Sequence, residues 1–300
     1  MDNIYWPVFA NLEKVVQDLT FSIHVDDAQL NVYSSRISDA ILRAATEIES
    51  IAKELYESNG GTADGNFRFD DVAIKHLRNE WHIDKKKILI SSPLCFQTSR
   101  VLLPFFKNEE RTSSSTGKLT YSWNNAYQNL KHNRRNGMKF GSLRYLFDIM
   151  AALYLLNIYY KDETIALDKD SAGVNFPSNL GSQLFSIVVV SCTGRQGNEH
   201  IKPQDFEAAT YYIDSTPETG KVFQESMDAF NAKLRDLLTS HPKLIEYLSN
   251  NDISNYHGNN LAWDVLGKDE YIRLFQQAGR VVSLKTEQLR YRALVNKHSI

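Results

Sequence analysis

Apolar residues recur at helical spacing through much of the chain, most clearly in residues 36–57. One face of that segment carries six apolar positions: Ile37, Ile41, Ala44, Ile48, Ile51 and Leu55. A stripe of this period is typical of an amphipathic helix with one buried face. Residues 58–61 follow as Ser-Asn-Gly-Gly, which tolerate positive φ and end a helix.

Three further helices are predicted before residue 160. Asp70 or Asp71 caps the first, and Ser122 caps the second, which continues to Gly137. Residues 145–160 are almost entirely apolar but contain Asp148 and are too short for a bilayer. We therefore expect a buried helix there, no membrane partner, and an antiparallel helical bundle over residues 1–160.

The pattern changes after residue 160. Residues 182–192 form a continuous β-branched run that predicts a strand, for which residues 160–173 supply a partner. Helical patterns return at 220–249, where Pro242 begins a new helix, and at 269–279 and 282–297. The predicted fold class is mainly α, with a bundle (1–160), a small β-containing connector (161–200) and an additional C-terminal helical region (201–300).

Composition excludes several classes of function. The formal net charge is −2, so contact with nucleic acid requires a local basic patch. Only two cysteines occur, outside any CxxC pattern, which argues against a disulfide framework and a zinc site. No metal and no cofactor are predicted. The first residues lack the basic and apolar regions of a signal peptide, and we expect a cytoplasmic protein.

The candidate chemistry lies in residues 123–137, WNNAYQNLKHNRRNG. On a helix, Trp123, Tyr127 and Leu130 share one side and are predicted to face the core. The opposite side carries a polar strip, which continues if the helix does: Asn125, Gln128, Asn129, His132 and Arg135.

Two interpretations of this segment compete. Cations at a helix C-terminus stabilise the helix dipole, and a polar strip is what any surface helix shows. Alternatively, His132 exchanges a proton and Arg134 and Arg135 bind phosphate. Lys131 then adds charge, and Asn129 orients His132 or a ribose. Asn125 and Gln128 complete the predicted substrate-binding set. Glu47 is predicted to form an ion pair with one of the arginines.

The segments AILRAATEIESIAKELY, W-x-x-A-Y-x-x-L-K-H-N-R and LRYLFDIMAALYLL resemble the HEPN superfamily over about residues 30–190. The resemblance implies a four- or five-helix bundle, a homodimer, and a metal-independent endoribonuclease of toxin–antitoxin, abortive-infection or phage-defence type. The catalytic set would be His132, Arg134 and Arg135, and an antitoxin or defence protein would be a partner.

The sequence departs from the HEPN pattern, in which an Arg precedes the His by four to six residues. With four to six residues between the Arg and the His, those positions are Asn125, Ala126 and Tyr127, and the arginines follow His132 instead. Either the roles are taken in reversed order, or the bundle is a non-catalytic relative that binds RNA, nucleotide or a partner protein.

Overall fold

The computed structural model describes residues 3–65, 67–91, 96, 100–112, 117–196, 199–281 and 286–298. They are mainly helical with several short β elements, which confirms the coarse fold class. The chain divides into two units, Met1–Asp214 with Arg292–Ile300, and Ser215–Tyr291. The boundaries predicted after residues 160 and 200 both lie inside the first unit.

The helices of the first unit are α1 (Trp6–Leu19), α2 (Ser35–Ser58), α3 (Ile74–Trp81), α4 (Ser122–His132), α5 (Arg134–Gly137) and α6 (Leu143–Lys161). All six predicted apolar positions of α2 are buried, as expected. α6 is buried on nearly every side because almost all its side chains are apolar, and α1, α2 and α4 pack around it. No helix among the described residues is long and apolar enough to cross a membrane.

Two predicted caps are wrong. α3 follows a π-helical turn, Phe69–Ala73, whose N-cap is Arg68, so neither Asp70 nor Asp71 caps it. The N-cap of α4 is Tyr121, and Ser122 is its first helical residue. The Ser122 hydroxyl donates a hydrogen bond to the Asp148 carboxylate on α6 instead, which joins two helices.

The strands of the first unit form short sheets. Their bounds are β1 (Ile88–Ile90), β2 (Val101–Leu102), β3 (Glu109–Glu110), β4 (Leu119–Thr120), β5 (Ile165–Asp168), β6 (Phe185–Ile187), β7 (Val189–Ser191), β8 (Arg195–Gln196), β9 (Glu199–His200), β10 (Tyr211–Ser215) and β11 (Tyr291–Val295). One sheet has the order β2-β1-β6 and another β5-β11-β10-β7, while β3–β4 and β8–β9 pair as two-stranded ribbons.

The predicted strand 182–192 is two strands in different sheets. β6 pairs antiparallel with β1, with Ile88 opposite Ile187, whereas β7 pairs parallel with β10, with Tyr211 opposite Val189. The chain changes sheet at Val188, whose carbonyl accepts a hydrogen bond from Thr210 N. β5, predicted to pair with this strand, shares a sheet with β7 but is separated from it by two strands, β11 and β10.

The helix predicted at residues 282–297 is also wrong over its described part. Residues 286–288 form a 3₁₀ turn and β11 follows as a strand. Ala293 and Val295 alternate inward in β11, which lies between β5 and β10. Pairing with two neighbouring strands decides this segment, because strand preference depends on tertiary context.

The second unit is helical: α7 (Pro217–Thr239), α8 (Pro242–Asn250), α9 (Leu261–Leu266) and α10 (Lys268–Val281). Pro242 begins α8 as predicted. Leu244, Leu266 and Leu274 form its buried cluster. α10 continues through Gly279, where a break was predicted.

Candidate functional site

The core-facing side of α4 is as predicted. Trp123, Tyr127 and Leu130 are buried. The Trp123 indole donates a hydrogen bond of 2.6 Å to the Pro104 carbonyl and stacks on Tyr121, with ring centroids 5.6 Å apart. These contacts fix the rotation of α4 about its axis, and therefore fix which residues reach solvent.

The predicted polar strip is only partly exposed. Asn125 and Asn129 are buried, at 3% and 4% exposure, and both have structural partners. The Asn125 amide bonds the backbone N and the hydroxyl of Thr112, each at 3.1 Å, and Asn129 Nδ2 donates to the Asn125 carbonyl at 2.9 Å. That Asn125 and Asn129 contact a substrate stays a prediction. In this structure Asn125 bonds Thr112 and also lines a cavity beside α4, while Asn129 bonds Asn125.

The helix does not continue to Arg135. α4 ends at His132, Asn133 has φ −142, and the four-residue α5 follows. Gly137 allows this reversal, since a Cβ there would lie 2.8 Å from the Asn129 carbonyl oxygen. Residues 131–136, Lys-His-Asn-Arg-Arg-Asn, are consecutively exposed. We call residues 131–136 the basic turn.

Partners within the basic turn are few. Lys131 Nζ donates to the Tyr127 hydroxyl at 3.0 Å, and this hydrogen bond raises the pKa of Lys131. Arg134 lies 3.3 Å from Asp39, and both side chains are more than half exposed. Within the described part of the chain, the side chains of His132 and Arg135 have no hydrogen bond or ion pair. Three cations and an imidazole are therefore available to a ligand.

The predicted ion pair of Glu47 with an arginine is absent among the described residues. Its neighbour two positions on, Glu49, reaches α4 instead: Glu49 Oε1 accepts a hydrogen bond of 3.0 Å from the Tyr127 hydroxyl. Burial raises the pKa of Tyr127, so this hydroxyl stays protonated and donates.

A cavity of about 460 Å³ opens beside the N-terminal half of α4. We call it the α4 cleft; its walls include Glu49, Phe67, Phe69, Arg111, Asn124, Asn125 and Gln128. Arg111 forms an ion pair of 2.8 Å with Asp70, another wall residue. Asn124 is completely buried, and its Oδ1 has no hydrogen-bond partner among the described residues. Its Nδ2 donates to the Thr120 hydroxyl at 3.1 Å.

The cleft suits an uncharged, planar, hydrogen-bonding group. Its carboxylates are engaged, Asp70 by Arg111 and Glu49 by Tyr127. Two phenylalanine rings provide flat apolar surface, and the partly exposed Gln128 provides polar atoms, whereas Asn124 Oδ1 is itself buried in the wall. Nucleobases are read in this way, by stacking on aromatic rings and by amide hydrogen bonds to their edges.

Sequence reasoning missed a second cavity, of about 400 Å³, around Asp148. Burial raises the pKa of Asp148 to about 6, although the hydrogen bond from Ser122 partly offsets this shift by lowering the pKa. Arg100, Glu109 and Arg144 line the same cavity. The available signal was Asp148 itself, a carboxylate within an otherwise apolar helix.

Away from α4, one group of described residues places metal-binding atoms together: His82, Glu207 and His298. These three residues lie far apart in the sequence, so no ligand-like spacing indicates them.

Scans against protein-family models, curated proteins and solved structures each found no match to this chain.

Proposed function

We propose that this chain binds single-stranded RNA along α4, with phosphates on the basic turn and a base in the α4 cleft. The observation that carries the proposal is that the α4 cleft and the basic turn lie on the same side of α4. Asn124, Gln128 and His132 follow at intervals of four residues, so one side of α4 runs from the cleft to the turn.

The basic turn fits phosphate. Arginine presents planar, forked donors to phosphate oxygens, and lysine adds a mobile charge. Lys131, Arg134 and Arg135 are exposed and therefore open to a ligand. Among the described residues, the only ion pair that these side chains form is that of Arg134 with Asp39, and it is exposed to solvent. Exposed pairs of this kind contribute little free energy, so a phosphate competes with Asp39 for Arg134.

The length of the face favours RNA over a mononucleotide. Eight residues separate Asn124 from His132, about 12 Å along a helix. A base in the cleft and a phosphate on the turn therefore belong to neighbouring nucleotides. Single-stranded RNA matches, because its unstacked bases can enter a cleft lined by aromatic rings.

The packing of α1, α2, α4 and α6 supports a HEPN-like antiparallel bundle as the scaffold. In that arrangement a homodimer brings two basic turns to one cleft. A defence or antitoxin protein is the partner that such a module implies.

The second candidate is metal-independent cleavage of the bound RNA, favoured by the imidazole of His132, which is exposed and has no partner among the described residues. His132 would move the proton of the ribose 2′-hydroxyl, while Arg134 and Arg135 would stabilise the charge on the phosphate. Asn129, which is buried and engaged, is not part of this mechanism. Lys131 assists through charge alone.

Binding is tested by fluorescence anisotropy with a labelled twelve-nucleotide RNA and the full chain at several salt concentrations. The double variant Arg134→Ala/Arg135→Ala is expected to lose about tenfold or more in affinity. Its log–log salt slope should fall by about 1.4, because each phosphate contact on a single strand contributes about 0.7. The matched control, Lys14→Ala/Lys53→Ala, removes two exposed cations from α1 and α2. Equal affinity in wild type and the arginine variant would refute the binding site.

Cleavage is tested on the same RNA in EDTA. The wild type is expected to cut and His132→Ala to lose the activity, while His24→Ala, which alters another exposed histidine, should retain it. Binding without cleavage in the wild type selects the non-catalytic module. Equal cleavage by His132→Ala removes His132 from the mechanism.

A further inference from the structure

Three segments distant in sequence bring metal-binding atoms together at the far end of α6 from the basic turn. His82 follows α3, Glu207 precedes β10, and His298 follows β11. Nδ1 of His82 lies 2.6 Å from Glu207 Oε2, and Nδ1 of His298 lies 2.9 Å from Glu207 Oε1. The two imidazole rings are 3.9 Å apart between centroids. Two imidazoles thus converge on one carboxylate.

We propose that His82, Glu207 and His298 bind a divalent transition-metal ion, with Zn²⁺ as the reference ion. Two imidazole nitrogens and a carboxylate are a common ligand set for zinc and for non-haem iron. One potential ligand atom from each residue can be chosen so that all lie within 4.8 Å of one another. Ligands of a tetrahedral zinc ion lie about 3.3 Å apart, so the contacts to Glu207 need to open by less than about 1 Å.

Buried hydrogen bonds hold the three segments in register. The fully buried Asn296 donates through Nδ2 to the carbonyls of Phe206 and Ala209, at 2.6 and 3.0 Å, which flank Glu207. Asn296 Oδ1 accepts from the backbone N of His298 at 3.0 Å. Lys87 N donates to the Ala208 carbonyl at 3.0 Å, which joins the segment after His82 to the same loop. The site is therefore fixed before a metal arrives.

The backbone conformation of the two histidines also sets this cluster apart. His82 and His298 both have positive φ, 51° and 62°. Non-glycine residues seldom adopt this conformation, and it concentrates where side-chain placement has a function. Here the left-handed conformation brings both imidazoles to the Glu207 carboxylate.

The cluster is open to solvent on one side. The side chains of His82, Glu207 and His298 are 26%, 31% and 35% exposed. A metal ion can therefore enter, and three protein ligands leave coordination positions for water or for a substrate. The positive charge of Lys85 opposes the binding of a cation, because its Nζ lies 3.5 Å from His82 Nδ1. Its side chain is half exposed, however, and can turn away into solvent.

The location separates this proposal from RNA binding. Trp81, next to His82, stacks on Tyr159 near the end of α6, whereas the basic turn precedes the start of α6. The nineteen residues of α6 span about 28 Å. The metal site therefore does not rest on the proposed function.

The test is calorimetric titration of Zn²⁺ into the full, tag-free chain after EDTA treatment and its removal, at pH 7.5. We expect one equivalent bound with a micromolar or lower Kd. His82→Ala, Glu207→Gln and His298→Ala should each weaken binding at least tenfold, while His24→Ala and His132→Ala should not change it. Lys85→Ala should bind roughly threefold or more tightly, because it removes a neighbouring positive charge.

A second readout does not depend on heat of binding. At a hundredfold excess over Kd, Zn²⁺ is expected to raise the unfolding midpoint of the wild type by about 5 °C or more. Glu207→Gln keeps the size of the side chain, and circular dichroism shows whether this variant is folded. Absence of stoichiometric binding by the wild type overturns the proposal. So does unchanged affinity in a folded Glu207→Gln variant.

Discussion

The hydroxyl of Tyr127 joins α4 to α2 by donating a hydrogen bond of 3.0 Å to Glu49 Oε1. The Tyr127 hydroxyl oxygen also accepts a hydrogen bond of 3.0 Å from Nζ of Lys131, the first residue of the basic turn. One buried phenol therefore links the interior of the bundle to the surface proposed to bind phosphate.

Removing that hydroxyl should weaken the fold modestly. Tyr127→Phe keeps the buried ring but leaves Glu49 without its donor, at a cost of about 1 kcal/mol. The expected fall in unfolding midpoint is about 2–4 °C by differential scanning calorimetry. Tyr160→Phe is the control, since that exposed hydroxyl bonds Glu54 at 2.8 Å. An equal or larger loss in the control would contradict the role assigned to Tyr127.

Base binding in the α4 cleft can be separated from phosphate binding. Phe69→Leu keeps an apolar wall but removes the flat ring, and stacking on an aromatic ring contributes about 1–3 kcal/mol per base. We expect RNA affinity to fall about fivefold or more with an unchanged salt slope. Phe106→Leu alters a half-exposed ring outside the cleft and should have no effect. A changed salt slope in Phe69→Leu would show that the ring acts through the phosphate contacts.

Asp148 should make stability depend on pH. Its pKa in the fold is about 6, above its ordinary value of 3.8. Between these two values the folded state holds more protons than the unfolded state, so stability falls as the pH rises from about 4 to 6. Asp148→Asn removes the carboxylate, so the free energy of unfolding of this variant relative to the wild type should increase by about 1–3 kcal/mol as the pH rises from 4 to 7.5.

Urea denaturation at both pH values measures that gain. Glu110→Gln, which removes one exposed carboxylate, controls for net charge. If Asp148→Asn and the wild type differed in free energy of unfolding by the same amount at pH 4 and at pH 7.5, ionisation of Asp148 would carry no cost in the folded protein.

Lys86 should have the opposite pH dependence. Its side chain is fully buried, its Nζ has no hydrogen-bond partner among the described residues, and burial lowers its pKa to about 7. Nearby Glu207 and Asp84 oppose that shift, and Lys85 adds to it. Between pH 7 and 10.5 the unfolded state holds more protons, so wild-type stability should rise with pH in this window.

Lys86→Met should therefore stabilise the chain most at pH 7 and below, where the wild type must bury a charge. Denaturant midpoints at pH 6.5 and 9.5 measure the difference. Lys87→Met, which alters a neighbouring lysine with a 42% exposed side chain, is the control. A Lys86→Met variant that is less stable than wild type at pH 6.5 would mean that the ammonium has a partner in the folded protein.

The sequence by itself determined the elements whose pattern is long and regular. The stripe of α2, the largely apolar α6 and the core side of α4 were all predictable, because a burial pattern that extends over three or more turns outweighs local detail. The basic turn was also visible as a run of charges, although the position at which the helix ends was not.

Only the tertiary structure decided which polar residues are free. Asn125 and Asn129 have the spacing of a surface strip, yet both are buried, and Asn125 is hydrogen-bonded to Thr112. β11 has a helix-compatible sequence, yet it forms a strand that pairs with β5 on one side and β10 on the other. His82, Glu207 and His298 come together from 216 residues of separation, and no local pattern encodes such a meeting. The physical reason is common to all three: burial and pairing by distant segments contribute more free energy than the local preferences that a sequence pattern expresses.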